Sequence, residues 1–139
     1  MCETHDDIKL VFFSSKFDEH YKNLSGLSLQ CFPKERILYC STTVELSDHL
    51  TSLLYGLCVV LVVARSQHEL SQIYQLKEKL KDRLIILILD SSIDDTAPEA
   101  IRLYPRYMTH TKRDYNDILL ILNKMVSNIK FKIKGGRNG

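Results

Sequence analysis

The side chains with chemical potential in this chain gather at the ends of apolar runs. Hydroxyls recur there, at Ser14, Ser15, Ser41, Thr42, Thr43, Ser66, Ser91, Ser92, Thr109 and Thr111, joined by Arg65, Lys112 and Asp90. Hydroxyl donors and two cations at one rim could cradle a phosphate, helped by the N–H groups of adjoining helix starts. The same hydroxyls are also what helix caps and tight turns prefer. No loop carries the glycines of a dinucleotide fingerprint or a Walker motif. Asp90, Asp94 and Asp95 lie close together, but their neighbours suit a turn leading into a helix better than a metal site. The histidines (His5, His20, His49, His68, His110) follow no ligand spacing. Only His110 falls at a strand end, and no G-x-S-x-G elbow supplies a nucleophile for it. We therefore expect no catalytic residues, no metal site and no cofactor. Lys112 reads as a solvated lysine or as the partner of Asp90.

These residues need a scaffold that brings strand ends together, and the hydropathy pattern describes one. Leu57 to Ala64 is an unbroken apolar run rich in β-branched residues, as expected of a strand buried on both faces. Similar runs occur at Ile8–Phe13, Arg36–Cys40 and Leu84–Leu89, with a weaker, edge-like one at Tyr107–Thr111. After each comes a hydroxyl or acid with a carboxylate three residues on: Ser15/Asp18, Thr42/Glu45, Ser66/Glu69, Thr96/Glu99 and Asp114/Asp117. That is the capping-box spacing or a close variant. Helical periodicity follows: Phe17, Tyr21 and Leu24, expected to stop near Ser25-Gly26; Leu46, Leu50, Leu53 and Leu54; Leu70, Ile73, Tyr74 and Leu80. The fourth helix is short, between Pro98 and Pro105, and the last carries Ile118, Ile121, Leu122, Met125 and Ile129 in register. Five strand–helix units predict an α/β fold of the flavodoxin-like doubly wound (βα)5 type, with a parallel sheet in the order 2-1-3-4-5. In such sheets ligands bind beyond the carboxyl ends of the strands.

Length and composition set the remaining bounds. The 139 residues suit one domain, expected over 1–129, followed by a basic glycine-ended tail or linker over 130–139. That tail holds Lys130, Lys132, Lys134 and Arg137; with a whole-chain charge of +2, the preceding residues carry −2. A mildly acidic body is not that of a nucleic-acid-binding domain. No apolar run is long enough to span a bilayer, and the polar, acidic N-terminus is unlike a signal peptide, so a cytoplasmic location is expected. The cysteines (Cys2, Cys31, Cys40, Cys58) lack C-x-x-C spacing, which argues against zinc or a redox pair.

Thr111-Lys112-Arg113-Asp114-Tyr115-Asn116-Asp117, between a short strand and a terminal amphipathic helix, resembles the Thr/Ser-Lys-Pro region of response-regulator receiver domains, with Arg113 in place of the proline. The resemblance implies an acidic pair holding Mg²⁺ after the first strand, an acceptor aspartate ending the third, a hydroxyl ending the fourth, and the lysine pairing with the phosphoryl group. In this chain the acidic pair falls on Ser14 and Ser15, the acceptor on Val63 or Ala64 with Arg65 next to it, and the hydroxyl on Asp90 or Ser91. Only Lys112 and Ser91 match. The resemblance thus implies a degenerate receiver, a pseudo-receiver of two-component signalling, acting as a non-catalytic protein–protein interaction module. Tyr104, Arg106, Tyr107 and Tyr115, near the fourth helix and fifth strand, are the expected interface anchors for a protein partner or a homodimer. The alternative is a sensor of a small molecule, nucleotide or phosphoanion at the carboxyl rim.

Overall fold

The computed structural model describes residues 8–53, 58–94, 96–111 and 115–138, with side chains described as far as Ile129. Five strands, β1 (Lys9–Phe13), β2 (Ile37–Cys40), β3 (Cys58–Ala64), β4 (Leu84–Leu89) and β5 (Tyr107–His110), form one sheet in the order β2-β1-β3-β4-β5. Every pairing is parallel. The helices are α1 (Glu19–Cys31), α2 (Thr43–Ser52), α3 (Gln67–Tyr74), α4 (Lys77–Leu80), α5 (Pro98–Arg102) and α6 (Asn116–Asn138). This is the flavodoxin-like doubly wound arrangement and strand order expected from the hydropathy pattern. Leu57 and Leu54 lie outside the described residues.

β3 is buried along its whole length, which is why its sequence alternates nowhere. Successive side chains feed two separate cores. Val60, Val62 and Ala64 join Leu46, Leu50, Leu70, Ile73, Leu80 and Ala100, beneath α2, α3, α4 and α5. Val59, Leu61 and Val63 join Leu24, Leu27, Ile118, Leu122, Met125 and Ile129, beneath α1 and α6. The alternation also decides which way the rim residues face. Ser14 and Arg65 continue the parity of Phe12 and Val63, so both belong to the α1/α6 side.

Several local expectations are corrected. α1 does not stop at Ser25-Gly26 but runs on to Cys31. Gly26 lies in open space, and its cost of about 1 kcal/mol relative to alanine is outweighed by burial of Leu24 and Leu27 on either side. Phe17 precedes this helix and is exposed. The cap of α1 is Asp18, accepting from the Tyr21 amide at 3.2 Å, rather than Ser15. The helical stretch after β3 is divided into α3 and α4, although no proline or glycine marks the break. Thr96 does not cap α5; it turns back onto the Asp94 carboxylate, and Ala97 precedes Pro98 at the helix start. α6 runs to Asn138, so the residues expected as a basic tail or linker are helical through 138, two glycines being a tolerable cost within a 23-residue helix; this leaves the expected division at 129 and 130 as it stood. Asp114 of the fifth proposed capping pair lies outside the described residues.

Candidate functional site

Backbone ladders set the carboxyl rim of the sheet. Pairing continues one residue past β1, β4 and β5: the Ser14 N–H donates to the Cys40 carbonyl at 3.0 Å, Asp90 to Ala64 at 2.9 Å, and Thr111 to Leu89 at 2.9 Å. Phe13 pairs with Val62, so Ser14 stands level with Val63. Ser14, Ala64, Arg65, Asp90 and Thr111 therefore come together, as expected of strand ends. Lys112 and Arg113 lie outside the described residues.

The helices that follow are fastened to this rim by two copies of one device. The Thr42 hydroxyl accepts from the Glu45 amide at 3.1 Å, and the Glu45 carboxylate accepts from the Ser41 amide at 2.8 Å and hydroxyl at 3.1 Å. Likewise the Ser66 hydroxyl accepts from the Glu69 amide at 3.1 Å, and the Glu69 carboxylate from the Arg65 amide at 2.9 Å. Both are capping boxes in which the carboxylate reaches one residue beyond the cap. The amide bonds from Ser41 and Thr42 hold the Glu45 carboxyl below its ordinary range. At β3 the box also fixes the backbone from which the Arg65 side chain departs.

Arg65 is the centre of the rim. Its side chain is only 4% exposed, and one guanidinium nitrogen, Nη2, donates both to the Asp18 carboxylate at 2.8 Å and to the Ser14 hydroxyl at 3.1 Å. The Ser14 hydroxyl in turn donates to the Lys16 carbonyl at 2.9 Å. Partial burial pushes the Asp18 carboxyl up, but the Tyr21 amide and the Arg65 charge outweigh it, and the group lies below its ordinary range. Arg65 Nε is buried without a hydrogen-bond partner among the described residues. Asp90 accepts from the Ser92 amide and hydroxyl at 3.1 and 2.8 Å, and the amide bond is the chief reason that its carboxyl is also lowered. Among the described residues, no group of three or more His, Cys, Asp or Glu side chains could hold a metal ion.

Tyr115 extends this network to α6. Its phenol donates to the Thr111 carbonyl at 2.9 Å and is hydrogen-bonded to His20 Nδ1 on α1. Because the phenolic proton is committed to Thr111, the His20 ring is the donor in that second bond. Burial pushes the Tyr115 phenol up, opposed by the nearby Arg65 charge.

The four expected interface anchors separate. Tyr104 and Arg106 are exposed at the amino end of β5, where the Arg106 amide donates to the Ile85 carbonyl at 2.8 Å. Tyr107 is half-buried against the α1/α6 core, and Tyr115 belongs to the rim at the opposite end of the strand. Asp18 and His20 carried no sequence signal as rim residues beyond the capping pattern at Asp18; only the placement of α1 brings Asp18 onto Arg65 and His20 onto Tyr115. Ser15 is half-buried and Ser91 exposed beside the same rim.

No family model matches this sequence, and no curated protein does. Among solved structures, a response regulator receiver domain protein (CheY-like) from Methanospirillum hungatei JF-1 is similar, with a TM-score of 0.63 at 14% sequence identity. The match covers 88% of this chain and 96% of that one. The fold is that of a CheY-like receiver domain.

Proposed function

We propose that this domain is a degenerate receiver, a signalling module that docks a protein partner without being phosphorylated. One observation carries the reading. The buried guanidinium of Arg65 bonds to Ser14 and Asp18 at the rim, where a working receiver would hold Mg²⁺ and an acceptor carboxylate. A divalent cation needs several oxygen ligands carrying negative charge. Here hydroxyls stand at Ser14 and Ser15, Ala64 ends β3, and the carboxylates at the rim are engaged, Asp18 by the Arg65 guanidinium and Asp90 by Ser92. These residues do not fit Mg²⁺.

Docking has its own support in the face made by α5, β5 and α6. β5 is an edge strand with an open hydrogen-bonding side. Exposed Ile101 on α5, Tyr104 before the strand and Leu120 on α6 flank it. Aromatic and apolar anchors around an open edge suit a protein partner or a second copy of the chain. A receiver-type signalling module of this kind belongs in the cytoplasm; among the described residues, no helix is long and apolar enough to cross a membrane.

The test is the melting temperature with Mg²⁺ plus beryllofluoride or acetyl phosphate. No change is expected, and a Mg²⁺-dependent rise overturns the reading. Tyr104→Ala and Tyr107→Ala should weaken self-association or partner binding; unchanged association excludes this face.

A second reading has a specific observation behind it. The unpartnered, buried Arg65 Nε offers a donor to a small anion, as a phosphoanion or nucleotide sensor would require. A thermal shift with inorganic phosphate or one member of a nucleotide panel, lost in Arg65→Met, favours the sensor over the docking module.

A further inference from the structure

The amino ends of β4 and β5, at the opposite end of the strands from Arg65, carry a second feature. A trough of about 710 Å³ lies between α4 with its following turn and the turn that joins α5 to β5. Its floor is apolar, from Leu80, Leu84 and Leu103. Its walls hold five cations against two carboxylates, a surplus of three, in a chain whose whole net charge is +2.

The cations are arranged in pairs. Lys77 and Lys81 stand on one wall, Arg102 and Arg106 on the other, and all four are exposed. Among the described residues none of these four side chains is in a salt bridge or hydrogen bond; Lys77 lies 4.8 Å from the centre of the Tyr74 ring. The fifth, Arg83, is buried and donates to the Lys79 carbonyl at 2.8 Å and the Leu50 carbonyl at 2.7 Å. It places charge beneath the trough without being free to move.

The two residues with positive φ among the described non-glycine positions both line this trough: Asp82 at 66° and Tyr104 at 52°. A left-handed tyrosine is strained. The conformation sets an aromatic side chain, 82% exposed, at the lip of the trough.

We propose that this trough binds an acidic peptide segment of the partner protein, its carboxylates meeting the paired cations and its apolar side chains reaching the floor. The inference rests on the reading of the domain as a docking module and supplies the chemistry of what docks. Facing cations separated by an apolar floor suit side chains alternating in character along a peptide. A phosphodiester backbone would gain nothing from the leucines of the floor.

The experiment is fluorescence anisotropy of the whole chain with a short labelled peptide alternating Glu and Leu. Parallel arms use the Gln-Leu peptide, a labelled single-stranded oligonucleotide, and vesicles containing phosphatidylserine. Saturable binding of the Glu-Leu peptide is expected, weakening as salt rises. Arg102→Glu combined with Arg106→Glu should lower its affinity by about tenfold or more, as should Lys77→Glu with Lys81→Glu. Lys34→Glu, exposed elsewhere, should not. Melting temperatures of the variants show that the fold persists. Equal binding of the Gln-Leu peptide, unchanged affinity in both double variants, absence of peptide binding, or preference for the oligonucleotide or vesicles overturns the proposal. If the Mg²⁺ and beryllofluoride titration is silent, such a failure removes only the acidic occupant. A Mg²⁺-dependent shift removes the docking module itself, whatever the peptide does.

Discussion

Arg65 and Asp18 lie 47 residues apart in the chain and 2.8 Å apart in the fold. The contact ties the end of β3 to the start of α1, and Asp18 serves it while capping its own helix. Asp18 keeps 41% of its side chain in solvent, whereas Arg65 keeps 4%. The pair is therefore asymmetric: loss of the arginine leaves a carboxylate that water can reach, and loss of the aspartate leaves a guanidinium that it scarcely can.

Asp18→Ala should accordingly cost more than an ordinary surface pair, about 1–3 kcal/mol, because it strips an ionic partner and a cap together. Arg65→Met keeps much of the packed stem and should cost less. Urea unfolding of both variants and of the double variant measures the coupling. Additive effects would show that the pair contributes nothing as a pair.

The same aspartate predicts acid sensitivity. Its folded pKa lies below the unfolded value of about 3.9, so the unfolded chain binds the proton more readily in this range. Its contribution is present above that value and is lost as pH falls through the lower folded one. Asp18→Asn should flatten the stability profile below about pH 4. A melting-temperature series across acid pH reads the slope directly; an unchanged slope assigns the acid loss to other carboxylates.

Gly26 offers a stabilising change. A Cβ built there meets nothing within 4 Å, and the position is helical. Gly26→Ala should raise stability by about 0.5–1 kcal/mol, with the gain coming from the helix and from a more restricted unfolded chain. Denaturant midpoints at constant m-value check it.

Tyr104→Gly should also stabilise, by up to about 1 kcal/mol, by relieving the left-handed backbone. It should weaken acidic-peptide binding at the same time. A rise in melting temperature with undiminished binding would remove the tyrosine from the trough's function.

The thiols make a simpler prediction. Burial pushes Cys40 up to about 12 and raises Cys58, so neither should react with a disulfide reagent at neutral pH until the protein unfolds. Labelling of Cys40 or Cys58 as fast as an exposed cysteine would contradict their packing.

Much of this molecule was legible residue by residue, and the limits have physical causes. β3 and β4 read correctly because strands buried on both faces lose their alternation altogether. The capping pairs at Thr42 and Ser66 were local, three residues apart, and both formed. The end of α1 is not legible locally, because a serine-glycine pair resembles a stop until the burial of Leu27 is known. The rim was legible as a location, since parallel strand ends must meet, but the partner of Arg65 was not. That depended on where the first crossover lays its helix, a tertiary fact. The basic trough escaped for the same reason. Its cations come from 77–83 and 102–106, two unremarkable stretches until β4 and β5 are placed side by side.

The Arg65 guanidinium has a consequence of another kind. A cation bound from solution has a concentration, and the cell can raise it, lower it or chelate it. One attached to β3 has only an effective concentration, set by a tether that never lets it leave. Its occupancy of the contact with Asp18 and Ser14 answers to no supply. The proton on Asp18, whose carboxyl lies below its ordinary range, can still tune that contact. At neutral pH the contact is held at saturation.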